Sequence, residues 1–166
     1  MRGDFGERQG ERFRPTLHGC IARDSRMARA LESCYLNALY EVSAQSYRSL
    51  MCEVTDPELS ALFEELAVEA LYRFRLLGEM ILALGGNPTV RAQLRVDACD
   101  WYEESCEGAL RETDRMLRDA IREKKRGIDH MEGLLGKTQD RVLRSVLTNL
   151  ISEEQRHAER LQVALG

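Results

Sequence analysis

The sequence predicts an all-α protein in which four long helices form one domain. Proline occurs only at positions 15, 57 and 88, so long stretches contain no residue that breaks a helix. Leucine dominates the apolar residues, with 23 Leu against 13 Val plus Ile, and Leu loses less rotamer freedom in a helix than β-branched residues do. In four segments the apolar residues recur three and four positions apart, which is the spacing of one helix face.

Composition and charge narrow the class of protein further. The 166 residues fit one domain of roughly 100 to 200 residues. The 24 basic and 28 acidic side chains give a net charge of −4, which argues against a nucleic-acid partner. No apolar run approaches the roughly 18 residues of a membrane span. Because the first thirty residues contain no apolar stretch of secretory-signal length, we expect the protein in the cytoplasm.

Residues 1–22 are predicted to form a flexible tail, and residues 23–166 the helical domain. The tail is rich in Arg, Gly and Glu and lacks regular apolar spacing. The first helix should begin near Asp24 or Ser25, both good N-caps, and run to about Val54. Its inward stripe is Met27, Leu31, Cys34, Ala38, Glu41 and Gln45.

The second helix opens with Thr55-Asp56-Pro57-Glu58, which supplies an N-cap, a first-turn proline and an acid near the positive end of the helix dipole. It should stop at Gly85-Gly86-Asn87-Pro88. Its inward stripe is Leu59, Phe63, Leu66, Ala70, Arg73, Leu77 and Leu84.

A long crossover is predicted from Thr89 to about Ala109, with a short helix around residues 97–106. The third helix follows, and its seam from Leu110 to Leu135 is spaced 7, 4, 3, 4, 3 and 4 residues. In the fourth helix Thr138 is the expected cap, with Asp140 in the first turn. The seam of this helix is Leu143, Leu147, Leu150, Glu154, His157, Leu161 and Ala164.

A charged side chain interrupts each apolar seam near its middle. These residues are Glu41, Arg73, Lys124 and the pair Glu154 and His157. Burying one charge without a partner costs several kcal/mol. Charges at the same depth on four helices therefore indicate that these side chains meet one another or share an ion.

Helices joined by short, long and short connections have the topology of a ferritin-like four-helix bundle with one long crossover between helices 2 and 3. Four segments of the helices are informative together: Glu41-Val-Ser-Ala, Pro57-Glu-Leu-x-x-Leu-Phe-Glu-Glu-Leu-Ala, Leu76-Leu-Gly-Glu-Met-Ile-Leu-Ala-Leu-Gly-Gly-Asn-Pro88 and Glu153-Glu-Gln-Arg-His-Ala-Glu159. Through these segments the chain resembles, over about residues 25–165, the ferritin-like group that includes rubrerythrins and the proteins related to manganese catalases and spore coats.

This resemblance implies a dimetal site in which two helices each supply a Glu and the other two each supply Glu-x-x-His. Glu41 matches the helix-one carboxylate, and Glu154 with His157 matches the helix-four motif. The second and third helices differ from the family's pattern. Ala70 and Arg73 stand where Glu-x-x-His is expected on the second helix, and Lys124 stands where a Glu is expected on the third. A rival register of the second helix would use Glu69 and Tyr72 in these positions. These two residues lie on the same helix face as Glu65 and Glu79, and we expect that face to be on the solvent side.

Charge counting favours an ion cluster in place of the metals. The complete family site balances four carboxylates with two divalent cations, whereas here Arg73 and Lys124 balance Glu41 and Glu154 with no cofactor. Two alternatives stay open from the residues alone. The side chains of Arg73 and Lys124 could reach out to water, and Glu154 with His157 could be a surface pair.

The leading hypothesis is a ferritin-like protein that has lost its dimetal centre and has a structural or interaction role instead of an enzymatic one. The alternative is a metal-binding oxidoreductase or metal-storage protein with one Fe or Mn ion on Glu41, Glu154 and His157, and Tyr47 or Tyr72 nearby. As a third possibility, the site is completed between subunits. We expect a homodimer, and residues off the main seams could form its face: Tyr35, Leu39 and Leu71.

The remaining histidines and the cysteines carry less information. His18 and His130 are expected in solvent, and the basic run at residues 122–126 is expected to be a charged helix face around Lys124 and not a nucleic-acid patch. The five cysteines include no Cys-x-x-Cys pair, which argues against a rubredoxin-like iron site. Cys34 lies on the seam as an apolar filler, and Cys99 and Cys106 could pair between subunits.

Overall fold

The computed structural model describes residues 20–89 and 109–166, which form four α-helices and no strand. The helices are α1, Ser25–Cys52; α2, Pro57–Ala83; α3, Ala109–Leu135; and α4, Arg141–Leu165. The all-α four-helix prediction is confirmed. The expectations for the tail up to residue 19, for His18 and for the short helix with Cys99 and Cys106 lie outside the described residues.

Aspartate side chains begin α1 and α2, as the sequence predicts. Asp24 accepts hydrogen bonds from the backbone N–H groups of Arg26 and Met27 at 2.9 and 3.0 Å. Asp56 accepts one from the backbone N–H of Leu59 at 3.0 Å. The first helix ends at Cys52, two residues before the expected end, and the Cys52 carbonyl accepts the backbone N–H groups of Thr55 and Asp56 in the turn that follows.

The start of α4 differs from the prediction. Asp140, and not Thr138, is the N-cap, since its carboxylate accepts from the backbone N–H of Leu143 at 2.9 Å. The Thr138 hydroxyl accepts from the backbone N–H of Asp140 at 3.2 Å and so stabilises the turn before the helix. Thr and Asp are both good caps, and the point at which the backbone becomes helical decides between them.

Contacts between residues of different helices define the arrangement of the bundle. Ser49 meets Ser60 at one end of the α1–α2 hairpin, and the backbone of Asp24 meets that of Leu84 at the other. His130 near the end of α3 contacts Ser33 near the start of α1. The end of α2 and the start of α3 therefore lie at opposite ends of the bundle.

The buried side chains form two apolar clusters with a polar layer between them. One cluster fills the end of the bundle where α1 and α4 begin, around Leu31, Leu77 and Leu147. The other fills the opposite end around Phe63, Leu117 and Leu161. The predicted seams supply most of this core, although Ala164 is exposed in the last turn of α4.

Tyr35 lies inside the bundle and not on an outer face, so that expectation is wrong. The residue is 7% exposed, and its ring stacks on Phe74 with the ring centroids 4.3 Å apart. Gly78 lies beside the ring, and a Cβ atom there would lie 3.2 Å from it, a tight contact that a glycine avoids. Leu39 is half-buried and Leu71 is exposed. Of the helices in the described ranges, none is both long and apolar enough to span a membrane.

Candidate functional site

The polar layer is built around Glu41 in the middle of α1. Its side chain is fully buried, and both carboxylate oxygens have donors. Asn37, one turn earlier on the same helix, donates its Nδ2–H to Oε1 at 3.1 Å. Arg73 from α2 and Lys124 from α3 both donate to Oε2. Three helices therefore meet at this one carboxylate.

Glu154 on α4 supplies the second carboxylate and is 1% exposed. Arg73 donates to its Oε1, and the Lys124 ammonium lies 3.1 Å from both of its oxygens. Nδ1 of His157 lies 3.2 Å from Oε1. Because a carboxylate accepts and does not donate, the hydrogen bond requires the His157 tautomer with the proton on Nδ1.

Arg73 and Lys124 each connect the two carboxylates. The guanidinium uses Nη1 for Glu154 and Nη2 for Glu41, and Lys124 contacts both acids through one ammonium. Arg73 is 7% exposed and Lys124 is 0% exposed, so neither charge reaches out to water. Two cations and two anions make the cluster neutral when His157 is uncharged, which removes much of the cost of burying these four charges.

The charges of the cluster shift the pKa of two of its members. Burial by itself raises the pKa of Glu154, but the hydrogen bond from His157 and the charges of Lys124 and Arg73 outweigh burial and lower it to about 2. Burial by itself lowers the pKa of Arg73, and the two carboxylates overcome that effect and raise it. Both groups are therefore charged at neutral pH.

The polar layer continues along α1 beyond the cluster, which the sequence analysis missed. Arg48 is 7% exposed and binds Glu123 of α3 through two hydrogen bonds of 2.8 and 2.9 Å. It also donates to Oε1 of Gln45 at 3.2 Å. Arg48 lies seven residues after Glu41 on the same helix face, and this spacing is the signal that could have found it.

Other predicted residues lie away from the cluster. Tyr72 is 43% exposed and Glu69 is partly exposed. This agrees with the register in which Ala70 and Arg73 face the inside of the bundle. Tyr47 is 42% exposed on the outer side of α1. His130 is exposed, and its Nε2 lies 2.7 Å from the Ser33 hydroxyl.

This arrangement of four helices and one central polar layer agrees with the comparison of the chain with known families. Residues 36–166 match the family described as ferritin-like domain. The chain belongs to the ferritin-like domain family. A search of the curated proteins gives no match.

Ferritin-like proteins of the dimetal type hold two cations between four helices, and the residues of this ferritin-like chain do not fit such a pair. Each oxygen of Glu41 and Glu154 already accepts a hydrogen bond from a neighbouring side chain. The Arg73 and Lys124 cations lie between the two acids and would repel a divalent ion. Within residues 20–89 and 109–166, no group of three or more His, Cys, Asp and Glu could hold a metal ion.

The stability of this ferritin-like bundle should depend on acid through Glu154. Its folded pKa of about 2 lies below the ordinary value of 4.5. The stabilisation is therefore present above pH 4.5, and about 3 kcal/mol of it is lost as the pH falls from there through about 2. Urea unfolding measures the free energies of unfolding of the wild type and of Glu154→Gln. The difference between the two should decrease by about 3 kcal/mol between pH 4.5 and about pH 2. A difference that stays constant would contradict the prediction.

Proposed function

We propose that this ferritin-like protein functions without a dimetal centre, as a structural or interaction protein related to the rubrerythrins and the spore-coat proteins. The observation that carries the proposal is that Arg73 and Lys124 each contact both Glu41 and Glu154. Their two positive charges replace part of the charge that two metal ions would bring. An Arg or Lys in this position supplies no open coordination site for redox chemistry.

The proposal predicts that the purified protein contains little metal. The chain is expressed with added iron and manganese, purified without a histidine tag and examined by elemental mass spectrometry. We expect less than about 0.1 Fe or Mn per chain, because two carboxylates already bound to two cations have little affinity for a third. The variant His157→Ala is the control, and its metal content should equal that of the wild type.

A different result would favour the alternative function. About one Fe or Mn per chain, lost in His157→Ala, would support a mononuclear oxidoreductase or storage site on Glu41, Glu154 and His157. Such a site requires the head groups of Arg73 and Lys124 to leave the two acids. About two ions per chain would contradict the degenerate site altogether.

We propose a second copy of the chain as the partner, bound through the outer face of α1. Apolar and aromatic side chains on this face are well exposed, with Tyr40 at 50%, Tyr47 at 42% and Leu50 at 68%. Tyr40, Tyr47 and Leu50 are spaced seven and three residues apart on one face of the helix, and the exposed Ser43 lies between the two tyrosines. Two antiparallel copies of α1 related by a twofold axis at the level of residue 45 would pair position 40 with 50 and position 43 with 47.

The dimer is tested by sedimentation velocity. The wild type should sediment as a dimer of 19.0 kDa chains. Leu50→Glu should weaken dimerisation by about a hundredfold, because it places a charge against Tyr40 of the other copy in an apolar seam. The control is Leu82→Glu, which adds the same charge at a 49% exposed Leu on α2. A monomeric wild type, or equal effects of the two variants, would contradict the proposal.

The cytoplasm is the proposed location. Cys34 and Cys52 are buried free thiols. Reducing compartments keep thiols in this form, which supports the proposal.

A further inference from the structure

A crevice of about 180 Å³ lies beside α1 and α3 and extends to the polar layer. The exposed residues Asn37 of α1 and Arg126 and His130 of α3 line its outer part. Arg73 and Glu154, which belong to the ion cluster, line its inner part. The crevice therefore connects the outside of the bundle with a guanidinium that is only 7% exposed.

Gly127 lines the crevice in the second half of α3. Glycine inside a helix is less favourable than alanine, so Gly127 lowers the stability of α3 relative to an alanine at the same position. A Cβ atom at this position would have one neighbour within 4 Å, the Nδ2 atom of Asn37 at 3.8 Å. A methyl group thus fits with ordinary contact, whereas a larger side chain would extend into the space of the crevice.

The charged groups that line the crevice give it a positive balance. Arg126 contributes a positive charge at the rim, while the charges of Arg73 and Glu154 belong to the neutral ion cluster. Arg73 uses one hydrogen of Nη1 and one of Nη2 for the two acids, so three of its five N–H donors are not used by them. The Glu154 carboxylate is already bound by Arg73, Lys124 and His157. The Cys34 thiol also lines the crevice. Burial raises its pKa, the positive charge of Arg73 opposes part of that rise, and the resulting pKa is about 11. The thiol is therefore neutral at physiological pH.

We propose that this crevice binds a small oxyanion between the guanidinium groups of Arg73 and Arg126. Guanidinium groups are planar forks of N–H donors that match the oxygens of a carboxylate or a phosphate. Asn37 and the pair of Ser33 and His130, joined at 2.7 Å, add polar groups beside the opening. The volume of about 180 Å³ suits inorganic phosphate or a short carboxylate, which share this chemistry.

The inference rests on the proposed metal-free interior, because a metal on Glu154 would require Arg73 to move. The two are nevertheless tested separately. Metal content decides the proposed function, whereas anion binding to the metal-free protein decides the crevice. A protein with little metal and no anion binding would retain the proposed function and lose this inference.

Isothermal titration calorimetry with inorganic phosphate, and separately with acetate, tests the crevice at constant ionic strength in sodium chloride. The wild type and Gly127→Ala should bind, because a methyl group fits beside Asn37. Gly127→Leu should weaken binding by about tenfold or more, because its side chain fills the crevice. The Gly127 amide resonance in the ¹H–¹⁵N spectrum should shift when the anion is added to the wild type.

A second pair of variants tests the charge without changing the shape of the helix. Arg126→Gln should weaken anion binding by about tenfold, since it removes one charged donor. Lys125→Gln removes the same charge from the neighbouring exposed residue, which does not line the crevice, and should leave binding nearly unchanged. This pair keeps the test valid if Gly127→Leu fails to fold.

Binding of phosphate, of acetate or of both supports the proposal and identifies the kind of oxyanion. Two results would overturn it. One is no heat and no Gly127 shift with either anion. The other is equal loss of binding in Arg126→Gln and Lys125→Gln, which would show nonspecific attraction to the charged face of α3.

Discussion

Lys124→Met is expected to lower the free energy of unfolding by about 3 to 5 kcal/mol, the usual effect of leaving a buried charge without its partner. The ammonium contacts both Glu41 and Glu154 and is 0% exposed. Met has a similar length, so little packing is lost. With Lys124 absent, Arg73 alone must balance two buried carboxylates, and the interior carries one uncompensated negative charge. Urea unfolding at pH 7 measures the change.

Two further variants separate this effect from a general loss of stability. Lys125→Met changes the neighbouring exposed lysine and should alter stability by no more than about 0.5 kcal/mol. Combining Lys124→Met with Glu154→Gln restores neutrality between Glu41 and Arg73, so the double variant should be more stable than the sum of the single effects predicts. A loss below about 1 kcal/mol in Lys124→Met would contradict the buried cluster.

The second large effect is expected from rebuilding the family's metal site. The combination of Ala70→Glu, Arg73→His and Lys124→Glu gives helix two its Glu-x-x-His and helix three its Glu, beside the acids and the imidazole already present. Ala70 is 0% exposed and lies one turn before Arg73 on the same inward face. We expect the metal content to rise to about two Fe or Mn ions per chain.

The triple variant should also become dependent on metal for its stability. Four buried carboxylates repel one another without cations, so a chelator should lower its melting temperature far more than that of the wild type. Elemental analysis and thermal unfolding measure the two effects, after refolding with manganese if the metal-free chain is unfolded. In a folded triple variant, no gain of metal would show that positions 70, 73 and 124 do not face a common site.

Tyr72→His is the matched control for the triple variant. It creates a Glu-x-x-His spacing with Glu69, in the rival register of the same helix. Because Tyr72 is 43% exposed, this pair points away from Glu41 and Glu154. The variant should therefore gain no metal beyond that of the wild type.

Much of the fold follows from local rules that act within one helix. Asp24 and Asp56 begin helices because their carboxylates accept the first free backbone N–H groups, and this requires no contact with another helix. The inward stripe of α2 follows from the helical repeat, and Ala70 and Arg73 are buried as the stripe predicts. The central charged residues are likewise visible as interruptions of the apolar seams.

Features that involve two helices depend on the relative depth and rotation of those helices. Arg48 meets Glu123 across 75 positions of the chain, and no local pattern indicates that pairing. Tyr35 lies inside the bundle, where its ring stacks on Phe74 of α2 beside Gly78. The crevice beside Gly127 likewise exists through the spacing of α1 and α3.

Four helices, their inward faces and the charged residues at their centres can all be read from the amino-acid pattern, because each follows from the repeat of a single helix. Whether those charges meet depends on how the helices pack together. Arg73 and Lys124 could have reached out to water, and the packing of four helices instead places them between Glu41 and Glu154. A long side chain takes the direction in which its charge is best compensated, and that depends on side chains distant in the sequence.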